Sequence, residues 1–167
     1  MAAPPNPSKS PKLVGGEIGE SKWELRGSGQ PPGITAALMV DGELRGAFAH
    51  DSQSWSPSVS RGEAMFGVSV DGRGNRYVFG MVPPRVDEVR IFAEDGTSRS
   101  AIVTDTSPVK FFVDVAEPGA AAATTMGMYR HGRPVLGRPS GSAQDVERVP
   151  LERIGLSAVN VDPSLFS

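Results

Sequence analysis

The feature that most constrains this chain is an alternation of apolar and polar residues that recurs from residue 13 to about residue 137, cut at intervals by Asp-Gly pairs. Trp23 and Leu25 alternate with Glu24 and Arg26. Ile34, Ala36, Leu38 and Val40 share one face of a second run, and Phe48 sits in a short run at 46–50. Phe66, Val68 and Val70 alternate again. The run 77–82 is apolar on both faces apart from Gly80, the signature of a central strand. Val89 and Ile91 flank Arg90, and Ala101 and Val103 share a face. The cleanest strand places Val109, Phe111, Val113 and Val115 on one face, with Lys110 and Asp114 on the other. Residues 124–129 make a last long strand, for about eight or nine in all.

Turn chemistry supports this reading. Asp41-Gly42, Asp71-Gly72 and Asp95-Gly96 each stand between strand-like runs, where Asp-Gly supplies the positive φ angles of a type I′ hairpin. Pro83-Pro84 fixes φ and removes two donors, so the strand before it must stop. No helix of ordinary length fits the body: Val86 and Val89 have helical spacing, but Val89, Ile91 and Ala93 suit a strand better. A sheet must bury one face, and without helices a second sheet is the natural cover. The expected fold is therefore all-β, an antiparallel β-sandwich over residues 13–137. Gly 20 and Pro 15 among 167 residues exceed the usual ~12% combined share and fit a turn-rich all-β chain.

The ends differ from the body. Residues 1–12 hold Pro4, Pro5, Pro7 and Pro11 with no apolar period, and read as an extended arm or linker. Residues 138–167 begin in a Pro, Ser and Gly linker, and Pro150 breaks any helix. Leu156, Val159, Val161, Leu165 and Phe166 are more apolar than a solvated tail needs. An irregular tail packed on the sandwich or on a partner is expected.

A resemblance follows from these residues. Trp23-Glu24-Leu25, Gly33-Ile34, the string Phe79-Gly80-Met81-Val82-Pro83-Pro84-Arg85-Val86, then Asp87-Glu88-Val89-Arg90-Ile91, Asp95-Gly96 and Phe111-Phe112-Val113 stand in order over 23–115. In this the chain resembles a family of uncharacterised, mostly exported β-sandwich domains of GC-rich bacteria. The motifs are structural and bring no catalytic residues. The resemblance implies an exported or surface-displayed domain. Where members of that family often carry a cysteine pair, this chain has Ala37 and Ala47 or Ala49.

Several chemistries are excluded or disfavoured. Cys 0 removes disulfides, thiolate metal sites and cysteine nucleophiles, and His 2 forbids a His₃ metal site within one chain. No apolar run is long enough for a membrane span, and MAAPPNPSKSPK lacks the apolar core of a secretion signal. A net charge of −2 gives no global field for nucleic acid, and the cluster Arg130, His131, Arg133 and Arg138 reads as a solvated rim. His50-Asp51 lies beside Ser52, Ser54 and Ser56, but neighbours in sequence rarely reach triad geometry, and no Gly-x-Ser-x-Gly elbow occurs. The string Asp71-Gly72-Arg73-Gly74-Asn75 lacks the alternating oxygens and closing Glu of a calcium loop. No catalytic, cofactor-binding or metal residue is assigned.

Three aromatic residues remain as interface candidates. Trp55 lies in a Ser-rich segment without strand period, and can cap the sandwich or anchor a partner. Phe112 interrupts the polar face of its strand, and Tyr129 ends another. The expected function is a non-enzymatic binding domain with a protein partner or self-association. The alternative is a structural subunit of a virion or appendage-type assembly, clasping neighbours through arm and tail. A hydrolase is a distant third.

Overall fold

A computed structural model describes residues 9–28, 33–51, 63–104, 110–139, 144–151 and 155–160. The described residues contain no α-helix. Fifteen strands follow in order: β1 (Lys12–Ile18), β2 (Ser21–Ser28), β3 (Gly33–Val40), β4 (Glu43–Asp51), β5 (Glu63–Val70), β6 (Arg76–Val82), β7 (Glu88–Ala93), β8 (Ser98–Ser100), β9 (Ile102–Val103), β10 (Lys110–Ala116), β11 (Ala123–Arg130), β12 (Arg133–Val135), β13 (Arg138–Pro139), β14 (Arg148–Pro150) and β15 (Gly155–Asn160). All pairings are antiparallel.

The fold is all-β and sandwich-like, but it has three sheets where the alternation predicts two. The first runs β1-β2-β3-β4, the central one β13-β15-β5-β6-β10-β9, and the third β12-β11-β7-β8 with β14 also on β11. Strands β6 and β10 of the central sheet are largely buried on both faces. One face gives Tyr77, Phe79, Met81, Phe111 and Val113 to a core with Trp23, Leu25, Ala36, Leu38 and Val40 of the first sheet. The other gives Phe66, Val78, Val82 and Phe112 to a second core with Val89, Ile91, Met126 and Met128 of the third. Strand β6 shows the consequence: every residue after Arg76 is buried, as its doubly apolar sequence predicts.

Two glycines let the first sheet approach. A Cβ on Gly46 would stand 2.8 Å from the Phe79 ring, and one on Gly27 would stand 3.2 Å from that of Phe111. The bare backbone at these positions makes room for the two large rings of the central sheet.

Phe112 corrects the sequence reading. It is fully buried in the second core and unavailable as an interface residue. The strand face that Lys110 and Asp114 mark as polar is covered by the third sheet, and the two charges are accommodated by partners. Lys110 Nζ donates to the Val86 carbonyl at 3.2 Å, and Asp114 is held by Arg99.

The described part of the tail is more regular than expected. It supplies β13, β14 and β15, and β15 joins the central sheet beside β5, pairing Gly155 with Val68 and Asn160 with Glu63. At the other end, Ser10 is buried. Its hydroxyl bonds the Thr35 hydroxyl, its carbonyl accepts from Arg26 Nη1 at 3.1 Å, and the Pro11 carbonyl accepts from Gly27 N–H at 3.0 Å. Strand β1 starts at Lys12, where Gly15 and Gly16 hide the alternation.

Only one of the three Asp-Gly pairs makes the expected turn. Asp41 and Gly42 both have positive φ, 51° and 81°, between β3 and β4. At 95–96 only Gly96 is positive, and at 71–75 the positive residue is Gly74. A second turn with two positive angles sits at His131-Gly132, between β11 and β12. Gly42→Ala is expected to cost about 1 kcal/mol from backbone strain alone, since nothing lies near an added Cβ. Gly119→Ala, equally open but without positive φ, is expected to stay within about 0.5 kcal/mol of wild type. Urea unfolding of the two variants checks the contrast.

Candidate functional site

Two clusters of polar side chains stand out among the described residues, one on each side of the central sheet. The first lies at the β5–β6 turn. Asp71 is 7% exposed, and its carboxylate accepts four hydrogen bonds. Oδ1 takes the backbone N–H groups of Arg73 at 2.8 Å and Asn75 at 3.0 Å. Oδ2 takes Asn75 Nδ2 at 2.9 Å and the Tyr77 hydroxyl at 2.7 Å. Burial works against the charge, but these bonds from Asn75, Tyr77 and the backbone outweigh it and hold the Asp71 carboxyl at about 2. Burial and the neighbouring carboxylate push the Tyr77 phenol well above its ordinary value.

This cluster ties the central sheet to the first. Asn75 Nδ2 and Arg73 Nη1 each donate to buried Ser21 Oγ at 3.1 Å, and Arg73 Nη1 donates to Asp41 Oδ2 at 2.6 Å. Asp41 also accepts from Lys22 N–H, which together with Arg73 lowers its pKa. A carboxylate has about four acceptor positions, and all four on Asp71 are filled by the fold. The arrangement is a clamp between sheets.

The second cluster lines a cleft of about 310 Å³ between the central and third sheets. Its walls are mainly apolar: Val68, Val70 and Val78 from β5 and β6, Ala116 from β10, Ala123 from β11, and Leu151 after β14. Among the described residues, three charged ones interrupt them, Arg76, Arg99 and Asp114. Arg99 on β8 grips Asp114 on β10 with two parallel bonds, Nε to Oδ1 and Nη2 to Oδ2, both 2.7 Å. Asp114 is 5% exposed, and this fork raises the Arg99 pKa against its partial burial. Arg76 Nη2 donates to the carbonyls of Glu117 at 3.3 Å and of Ala120, pinning the β10–β11 connection over the cleft. The polar lining is thus built from three strands of two sheets, and an apolar body with one polar end fits its chemistry.

Those of the residues singled out in the sequence that are described do not converge on this cleft. Trp55 lies outside the described residues. Phe112 is in the second core. Tyr129 is half-buried on β11, with its ring over Gly127, where an added Cβ would stand 2.9 Å from the hydroxyl. Arg130, His131 and Arg133 gather at the β11–β12 turn, where His131 N–H donates to Asp87 Oδ2 at 2.8 Å. His50 and Asp51 end strand β4 and do not form a loop. Arg76, Arg99 and Asp114 were missed. The available signal was Asp114 itself: a carboxylate inside Phe111-Phe112-Val113-Asp114-Val115-Ala116 must find a cation if both faces are covered.

Comparisons with known protein families, with characterised proteins and with solved structures gave no match.

Proposed function

We propose that the chain is a non-enzymatic binding module that takes a small ligand in the cleft between its central and third sheets. The observation that carries this reading is the cleft: about 310 Å³, walled mainly by valine, alanine and leucine, with a few fixed charged groups. Ligand sites in proteins have this character, at volumes from ~300 Å³ upward. The walls belong to two sheets held by continuous cores, so the cavity is formed before a ligand arrives.

The test is a titration followed by amide NMR. Octanoate and octan-1-ol, two simple apolar probes, are expected to give saturable shifts at Val68, Val78, Ala116 and Ala123. Ala123→Trp, which fills the cavity, should abolish them. Shifts spread evenly over all three sheets, or none, would overturn the reading.

The same reading predicts no esterase activity. Hydrolysis of p-nitrophenyl acetate that saturates, and that disappears in His50→Ala, would argue instead for an enzyme. The exported setting implied by the resemblance goes with the binding role. Fractionation of source cells is expected to find the chain in the envelope or the medium, and a purely cytosolic pool would sink that part.

A further inference from the structure

We infer that the ligand of the cleft is a small amphiphile with a single negative charge, its head held by Arg76 and Arg99. This inference rests on the reading of the cleft as a ligand site, and adds to it the charge of the ligand.

The argument is a balance of charges and donors. Among the described residues the lining holds two guanidinium groups and one carboxylate, a surplus of one positive charge. Asp114 occupies Nε and Nη2 of Arg99 and leaves Nη1 without a partner among the described residues. The carbonyls of Glu117 and Ala120 occupy Nη2 of Arg76, leaving Nε and Nη1 likewise. Both guanidinium groups line a mainly apolar cleft, and their remaining N–H groups suit a carboxylate, which a planar donor fork meets with charge-assisted bonds. A cation meets no unpaired carboxylate in the described lining, since Asp114 is already paired with Arg99. An uncharged alcohol fills the apolar walls equally well but leaves the surplus charge unmet.

Asp114 offsets part of the positive charge that the ligand's head would meet. Removing its charge should strengthen binding, which a purely structural ion pair would not do.

Calorimetric titration of the full chain with octanoate, octan-1-ol and octyltrimethylammonium tests this. Octanoate is expected to bind with 1:1 stoichiometry, octanol about tenfold or more weakly, and the cation not measurably. Arg76→Gln should bring octanoate down to the octanol level, and Asp114→Asn should tighten it several-fold. Thermal unfolding establishes that each variant is folded, and Arg76→Gln decides alone if Asp114→Asn does not fold. Equal affinity for octanoate and octanol, with shifts at the cleft amides, would overturn the charge inference and leave the cleft reading standing. Octanoate affinity unchanged in Arg76→Gln would also overturn it. Absence of cleft shifts with every probe would overturn both.

Discussion

Phe111→Ala and Phe112→Ala are each expected to cost about 3–5 kcal/mol, although the residues are neighbours on one strand. Each ring is fully buried, in a different core. Phe111→Ala opens a hole under Gly27 and the first sheet, and Phe112→Ala opens one under the third. Each loss is a large share of the ~5–15 kcal/mol that stabilises an ordinary domain, and the double variant should lose about 6–10 kcal/mol. Urea denaturation read by tryptophan fluorescence and circular dichroism measures both. A two-sheet sandwich would make Phe112 a cheap position, so a loss below about 1 kcal/mol there would contradict the third layer.

Asp71→Ala should be comparably damaging, by about 3–5 kcal/mol, because it leaves two backbone N–H groups, the Asn75 amide and the Tyr77 hydroxyl without their acceptor in a buried place. The same carboxylate sets an acid limit. Its folded pKa of about 2 lies below the ordinary 3.8, so its ionisation favours the folded state. That contribution, about 2 kcal/mol, is complete above pH 4 or so and is lost as pH falls from there towards 2. Tyr77 works at the other end of the scale. Its raised pKa means that stability is kept below about pH 10 and declines above it, as the unfolded phenol ionises first. Stability measured from pH 2 to 11 should show the acid limb in wild type. Asp71→Asn should flatten it, and an unchanged limb would place the acid sensitivity elsewhere.

The strands, and the absence of helix among the described residues, were legible because alternation is a backbone-period signal that survives in every half-buried strand. Strand β6 could be recognised as central because both its faces are apolar. The third sheet was not legible from β10, because Lys110 and Asp114 make one face look solvated, and the partners that permit their burial lie elsewhere in the chain, at Val86 and Arg99. The turn types failed for a related reason. Asp71-Gly72 has the sequence of a hairpin turn, yet the Asp71 carboxylate is worth more to the fold as an acceptor inside a longer loop. The cleft could not be found from spacing, since Arg76, Arg99 and Asp114 belong to separate hairpins and meet only when two sheets stack.

The place of β15 in the central sheet bears on how the chain is made. Gly155 lies opposite Val68 and Asn160 opposite Glu63, so β5 gains its second neighbour only from β15, after β6 to β14 have been made. While a ribosome adds residues from the N-terminus onward, the first sheet can close from local hairpins, but the central layer must wait with one flank of β5 open. Pairings this distant close slowly, and an open flank between two apolar cores invites the same strand from another nascent chain. Synthesis rate and chaperone supply during that interval should therefore affect the yield of native protein.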